Sequence, residues 1–180
     1  MKVNTFIFRF VLLFTLGFVL TLTFPFYILP DLGGIISDIF IPINDFWGKL
    51  IGLTTTSSFY IVSDSIGLYL HLISLTVLSV VGSLIWSLFL KTNSFKLQYW
   101  FHTSVAYYLA LILFKYGFDK VFKHQFYFPE PNTLFTPLGQ LSPDILFWSS
   151  MGTSYSYSIF SGLIELLPAV LLLFKKTRLL

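Results

Sequence analysis

One lone carboxyl group and one charged cluster are the features of this sequence most able to do chemistry. Glu165 is the single charged residue in a long apolar segment that runs from residue 157 to residue 174. The charged cluster closes a second apolar segment and consists of Lys115, Asp119, Lys120 and Lys123. Ionisable groups at membrane depth are costly, so they usually have a partner or a function. The pattern therefore predicts a polar site between membrane helices.

The surroundings of Glu165 favour two interpretations. Glu165 lies ten residues before Lys175, which places it about 15 Å inside the segment if the segment is helical. A carboxyl group there is either protonated or paired, and the predicted partners are His102, Tyr107, Tyr108 and Ser161. In the structural alternative, Glu165 hydrogen-bonds backbone carbonyls where Pro168 kinks its helix and so holds the helices together.

A second grouping of polar residues is predicted nearer the outer face. His71 and Lys115 fall at a similar depth on two different segments, and Asp64 precedes one of them. These residues would line a pocket that opens outward, although a lysine near a helix end usually extends to the interface. The complete candidate site comprises Glu165, Lys120, Lys115, His71, His102, Asp119 and Tyr108.

Several kinds of chemistry are excluded by residue type and spacing. The chain has no cysteine, and its three histidines are scattered without ligand spacing, so we predict no metal site. It has no phosphate-binding glycine loop, no nucleophile elbow and no zinc-protease motif. We therefore assign no catalytic residue and no cofactor from motifs, and whether the chain is an enzyme stays undecided, with a lean towards no enzyme activity on its own.

The composition indicates a membrane protein. The 180 residues are 56% hydrophobic and 11% charged, whereas soluble domains carry about 25% charged residues. We predict an all-α membrane protein with two long extracytoplasmic loops and four transmembrane helices, at about residues 8–29, 65–90, 99–118 and 157–174. Residues 1–98 would form one two-helix segment and residues 99–180 another. In the first loop, residues 35–53 suit a short amphipathic helix at the interface, with Trp47 as an anchor.

The distribution of basic residues predicts the orientation. Seven of the eleven Lys and Arg residues lie on one side of the predicted helices: Lys2, Arg9, Lys91, Lys96, Lys175, Lys176 and Arg178. Both termini should therefore be cytoplasmic. The basic residues are too dispersed for a nucleic-acid site, so the expected partners are the lipid bilayer and either another membrane protein or a second copy of the chain.

Three short motifs resemble the DoxX-like family of small bacterial membrane proteins. They are Gly117-Phe118-Asp119-Lys120, Gly162-Leu163-Ile164-Glu165, and a leucine run leading to Thr177-Arg178. The resemblance covers about residues 99–180. It implies a four-helix membrane unit in the bacterial inner membrane and, for some members, quinone-linked thiosulfate oxidation or a redox-stress complex. Members usually continue with two more helices after the Thr-Arg pair, so the chain resembles only the front half of that unit.

Three functions are consistent with these observations. The first is a subunit or accessory protein of a membrane complex, without a defined biochemical role. The second is a quinone-linked redox subunit, in which Glu165 and Lys120 bind quinone or pass protons. The third is a small-solute transporter, which the absence of an evident internal repeat disfavours.

Overall fold

The described part of the chain is entirely helical. The computed structural model describes residues 5–21, 33–53, 61, 65–90, 95–126 and 128–178. Within them there is no strand, and seven α-helices follow one another: α1 (Thr5–Thr21), α2 (Gly33–Leu50), α3 (Ile66–Phe89), α4 (Phe95–Val121), α5 (Pro131–Phe135), α6 (Pro143–Thr153) and α7 (Tyr155–Leu173). A 3-10 turn at Leu138–Gln140 lies between α5 and α6. Lys2, Asp64 and Lys91 of the sequence interpretation lie outside the described residues.

Two of these helices are long and apolar enough to cross a bilayer. They are α3, with 24 residues, and α7, with 19 residues, which correspond to about 36 Å and 28 Å of helix. Helix α1 is apolar but has 17 residues, and the rest of the predicted first span lies beyond it in residues outside the described part. Helix α4 has 27 residues and begins and ends beyond the predicted third span. An all-helical protein is thus confirmed, whereas four spans remain a prediction.

Polar side chains are about as common as apolar ones in the interior of the described residues. The largest fully buried side chains among the described residues are Arg9, Leu70, His71, Asn44, Ser74, Ser83 and Ser158, six of which are polar. Large apolar side chains are instead exposed along α3, where Leu88 is 83% exposed. This pattern is compatible with a hydrocarbon solvent, in which apolar side chains can face lipid while polar groups must find partners inside.

The described residues form two compact units, which divide within α4 at residues 101 and 102. In the first unit, α1 and α3 pack closely and antiparallel. A Cβ atom added at Gly17 would come within 2.7 Å of Leu75 Cδ2, and one added at Gly82 within 3.0 Å of Leu13 Cδ1. Small residues at such contacts let membrane helices approach closely.

Arg9 joins the ends of α1 and α3. Its guanidinium donates hydrogen bonds of 2.8 Å to Ser87 Oγ and 2.8 Å to the carbonyl oxygen of Leu90, the C-cap of α3. It also lies 5.4 Å from the ring centre of Trp86. A cation there satisfies carbonyls that have no partner within the helix. Arg9 is only 1% exposed, so it is a packed part of the unit rather than the flanking charge predicted.

In the second unit, α4 and α7 pack antiparallel through two glycines. A Cβ atom added at Gly162 would lie 2.7 Å from the carbonyl oxygen of Gly117 and 2.7 Å from Val121 Cγ2. Ten residues before Gly117 on α4, the ring centre of Tyr107 lies 4.4 Å from the guanidinium of Arg178. That guanidinium donates a 2.6 Å hydrogen bond to the carbonyl oxygen of Leu172, near the end of α7.

The second long loop folds onto the start of α7. Phe126 is buried and stacks on Trp148 of α6 at 5.7 Å between ring centres, and the tilted ring of Tyr157 of α7 lies 6.2 Å away. Ser154 ends α6 and begins α7, and its hydroxyl accepts a hydrogen bond from the backbone N–H of Tyr157. The loop therefore packs on the helices.

Candidate functional site

The predicted carboxyl group forms an ion pair with a lysine. Lys120 Nζ of α4 donates a hydrogen bond to Glu165 Oε1 of α7. Their side chains are 14% and 26% exposed, so both are largely withdrawn from solvent. Lys120 belongs to the predicted site, but the partners predicted for Glu165 were residues deeper on α4 and Ser161.

The ion pair lies near the middle of α7. Glu165 is ten residues after Tyr155 and eight residues before Leu173, which corresponds to about 15 Å and 12 Å along the helix axis. If α7 crosses the membrane, the pair lies near its mid-plane, where charged groups are rare and face the protein interior.

Lys120 lies beside the middle of α7 because helix α4 ends there, part of the way along α7. Its last residue, Val121, packs on Gly162, seven residues after the start of α7. The backbone N–H of His124 bonds to Asp119 O and that of Lys123 to Lys120 O, and Lys123 has a φ of 62°. This is the Schellman arrangement, in which a left-handed residue closes a helix, and glycine is usual at that position.

The lysine in the left-handed position has a contact of its own. Lys123 Nζ donates a 2.9 Å hydrogen bond to the carbonyl oxygen of Gly152, in the last turn of α6, and lies 5.3 Å from the ring centre of Tyr155. The last carbonyls of a helix lack partners within the helix and attract cations. Lys123 thus ties the end of α4 to the junction of α6 and α7.

An aromatic group covers the ion pair. Lys120 Nζ lies 5.6 Å from the ring centre of Phe126, which is itself stacked on Trp148 and Tyr157. A cation beside an aromatic ring is attracted to it, and more strongly where water is excluded. The rings therefore stabilise the ammonium group and reduce the access of water to the pair.

The second oxygen of Glu165 is the atom of this site that could bind a proton or a ligand. Glu165 Oε2 is buried and has no hydrogen-bond partner within the part of the chain that the structure describes. A carboxylate accepts hydrogen bonds at both oxygens, and here Lys120 engages only one. The free oxygen can accept a proton or an O–H or N–H group of a ligand, while the lysine balances the charge.

The remaining predicted residues of α4 lie elsewhere. Lys115 Nζ is 2.8 Å from Asp119 Oδ2, one turn along the same helix, and His124 Nδ1 is 3.8 Å from Asp119 Oδ1. Tyr108 and His102 precede Lys120 by 12 and 18 residues on α4, which corresponds to about 18 Å and 27 Å. These residues do not join the Lys120–Glu165 pair.

His71 belongs to the first unit, on α3. It is completely buried, and its ring meets that of Phe40 of α2 edge-on at 4.6 Å between centres. Lys115 belongs to the second unit, so the predicted grouping of His71 with Lys115 stays a prediction, and Asp64 lies outside the described residues.

Sequence reasoning missed the polar residues that surround His71. Asn44 of α2 is completely buried, and its Oδ1 is 3.0 Å from Ser74 Oγ of α3. The spacing of Phe40, Asn44 and Trp47, at i, i+4 and i+7, was the available signal, because it places all three on one helix face.

No metal site is evident within the described residues, where no group of three or more His, Asp or Glu side chains gathers.

The comparisons with known proteins give no match: no family model fits the sequence, and no curated protein or solved structure resembles the chain.

Proposed function

We propose that this chain is an integral membrane protein that acts as a subunit or accessory protein of a complex in a bacterial inner membrane, with both termini cytoplasmic. The observation that carries the proposal is the burial pattern, in which polar side chains are buried beside apolar ones while large apolar side chains are exposed on α3 and α7. The motifs shared with the DoxX-like family support the same assignment.

The outward face of α7 supports a role in assembly. Its buried side carries small residues, whereas large apolar side chains form an exposed stripe at helical spacing: Phe160, Leu163, Ile164, Leu167 and Leu171. A stripe of this kind can face lipid or the helix of a partner. No motif for catalysis accompanies it in the sequence, which favours a subunit over an enzyme that acts alone.

The test is to isolate the chain from its native membrane. We expect it to stay in the membrane fraction at alkaline pH, and native mass spectrometry in a mild detergent to show it bound to a partner chain at fixed stoichiometry. Replacement of Leu167 by Trp should weaken that complex, whereas the same change at the exposed Leu84 of α3 serves as the matched control. A monomer that carries only bulk lipid would contradict a role as a subunit.

A second candidate is a quinone-linked redox subunit, and one observation favours it. The buried Glu165 Oε2 beside the aromatic group could accept a hydrogen bond from a quinol hydroxyl or take up its proton. Lipid extracts of the purified protein should then contain stoichiometric quinone, and Glu165→Gln should abolish its retention while Asp119→Asn leaves it unchanged. If Glu165→Gln lowers only the thermal stability, the ion pair is structural.

A further inference from the structure

The interface of α2 and α3 contains a group of polar side chains that the functions above do not use. Asn44 and His71 are completely buried, Ser74 is 1% exposed, and Trp47 has a buried indole nitrogen. None of these side chains carries a fixed charge. We call these four residues the α2–α3 polar cluster.

Helical spacing and two direct contacts bring the cluster together. Asn44 and Trp47 share one face of α2 with Phe40, and His71 and Ser74, three residues apart, share one face of α3. Ser74 Oγ lies 3.0 Å from Asn44 Oδ1, and the rings of Phe40 and His71 meet at 4.6 Å. Asn44, His71 and Ser74 therefore lie along one stretch of the interface, and Trp47 lies one turn further along the same face of α2.

Most of these atoms have no partner in the described residues. Asn44 Nδ2, Trp47 Nε1 and both ring nitrogens of His71 are buried without a hydrogen bond there. Ser74 Oγ lies 3.0 Å from both Asn44 Oδ1 and the carbonyl oxygen of Leu70 and donates its one hydrogen to these acceptors, so it leaves Asn44 Nδ2 without a partner. Buried polar groups in native proteins are almost always paired with protein or with ordered water.

We propose that the α2–α3 polar cluster binds an O–H group, supplied either by water or by a hydroxyl of a membrane lipid. The atoms define this chemistry. Asn44 and Trp47 supply N–H donors, and a neutral imidazole supplies one donor and one acceptor. The ligand must therefore both accept and donate, which a hydroxyl does and a carbonyl does not.

The position of the cluster allows such a molecule to enter. His71 is five residues after Ile66, the first residue of α3, so it lies about 7.5 Å from that end of the helix. Buried waters in proteins typically make two to four hydrogen bonds to polar groups that otherwise lack partners. The cluster offers four such atoms: Asn44 Nδ2, Trp47 Nε1 and the two ring nitrogens of His71.

The sign of a stability change gives the first test. If an O–H group is bound, His71→Phe removes its hydrogen bonds and should lower Tm by about 3 °C or more, and His71→Gln, which keeps a donor and an acceptor, should recover part of the loss. If the cluster is dry, His71→Phe removes unpaired polar atoms and should raise Tm. His124→Phe, at a histidine whose side chain is 74% exposed, is the matched control and should change Tm less than His71→Phe does.

NMR in detergent micelles gives a second test, which does not depend on the tolerance of the mutant. The chain has three histidines and four tryptophans, so ¹⁵N-labelled side chains can be assigned with single variants. Cross-peaks from the His71 ring and the Trp47 indole N–H to water identify bound water, and cross-peaks to lipid protons identify a lipid hydroxyl. Either result supports the site, whereas nitrogen shifts of an imidazole without hydrogen bonds, and no cross-peaks, would overturn it.

Discussion

The ion pair between Lys120 and Glu165 should dominate the stability of the second unit. Lys120→Met removes the ammonium group and leaves a carboxylate near the middle of α7 with no opposite charge. Removal of one partner of a buried pair costs about 3–5 kcal/mol. Because the two side chains retain 14% and 26% exposure, we expect the lower end of this range, about 3 kcal/mol.

The double variant distinguishes the interaction energy of the ion pair from the separate effects of its two residues. Lys120→Met combined with Glu165→Gln removes both charges, so no unpaired charge remains, and most of the lost free energy of unfolding should return. The coupling energy from the double-mutant cycle should be about 2 kcal/mol or more. The free energies can be measured by reversible unfolding in mixed micelles, followed by the loss of helical circular dichroism.

A second pair on the same helix provides the control. Lys115 and Asp119 are one turn apart, with side chains 34% and 27% exposed, and such helical pairs contribute about 0.3–0.5 kcal/mol. The same cycle with Lys115→Met and Asp119→Asn should therefore give a small coupling. If the coupling of Lys120 with Glu165 is no larger, the interpretation of a buried ion pair is wrong.

Two further substitutions test the helix contacts. Gly162→Ala should lower the free energy of unfolding by about 1–3 kcal/mol, because the added Cβ atom would lie 2.7 Å from the backbone oxygen of Gly117. Thermal unfolding measures the loss. Gly139→Ala is the control, since a Cβ atom there meets nothing within 4 Å. Arg9→Met should cost about 2 kcal/mol or more, since two charge-assisted hydrogen bonds to Ser87 and Leu90 disappear. Arg9→Lys should recover only part of this loss, because an ammonium cannot reproduce the planar fork; full recovery would refute a role for guanidinium geometry.

The apolar helices could be predicted from the sequence because their signal is local. Residues 65–90 and 157–174 are continuous apolar runs, and the structure places α3 and α7 there within two residues at each end. Composition and hydropathy act within one segment, so they need no knowledge of its neighbours.

The partner of Glu165 could not be predicted, because it depends on the axial offset between α4 and α7. The sequence interpretation aligned two full spans, which placed His102 and Tyr108 at the depth of Glu165. The contact between Gly117 and Gly162 fixes a different offset, and α4 ends at Val121 beside the middle of α7. Only the tertiary contact specifies this offset.

The α2–α3 polar cluster was missed for a related reason. The sequence predicts an amphipathic helix near residues 35–53, and α2 is present at Gly33–Leu50. Trp47 was interpreted as an anchor at the lipid interface, yet its indole nitrogen is buried in the protein. An amphipathic pattern identifies a polar and an apolar face, but it does not say which face meets another helix.

The central claim, that α3 faces lipid, can be tested most directly by spin labels. The chain has no cysteine, so single cysteines at Val77, Val81, Leu84 and Leu88 label one exposed face of α3, and Lys96→Cys gives an aqueous reference. In liposomes, we predict that dissolved oxygen relaxes the four labels more strongly than a water-soluble nickel complex does, with the reverse at position 96. Stronger relaxation by nickel along the whole face of α3 would contradict its insertion in the membrane and the account built on it.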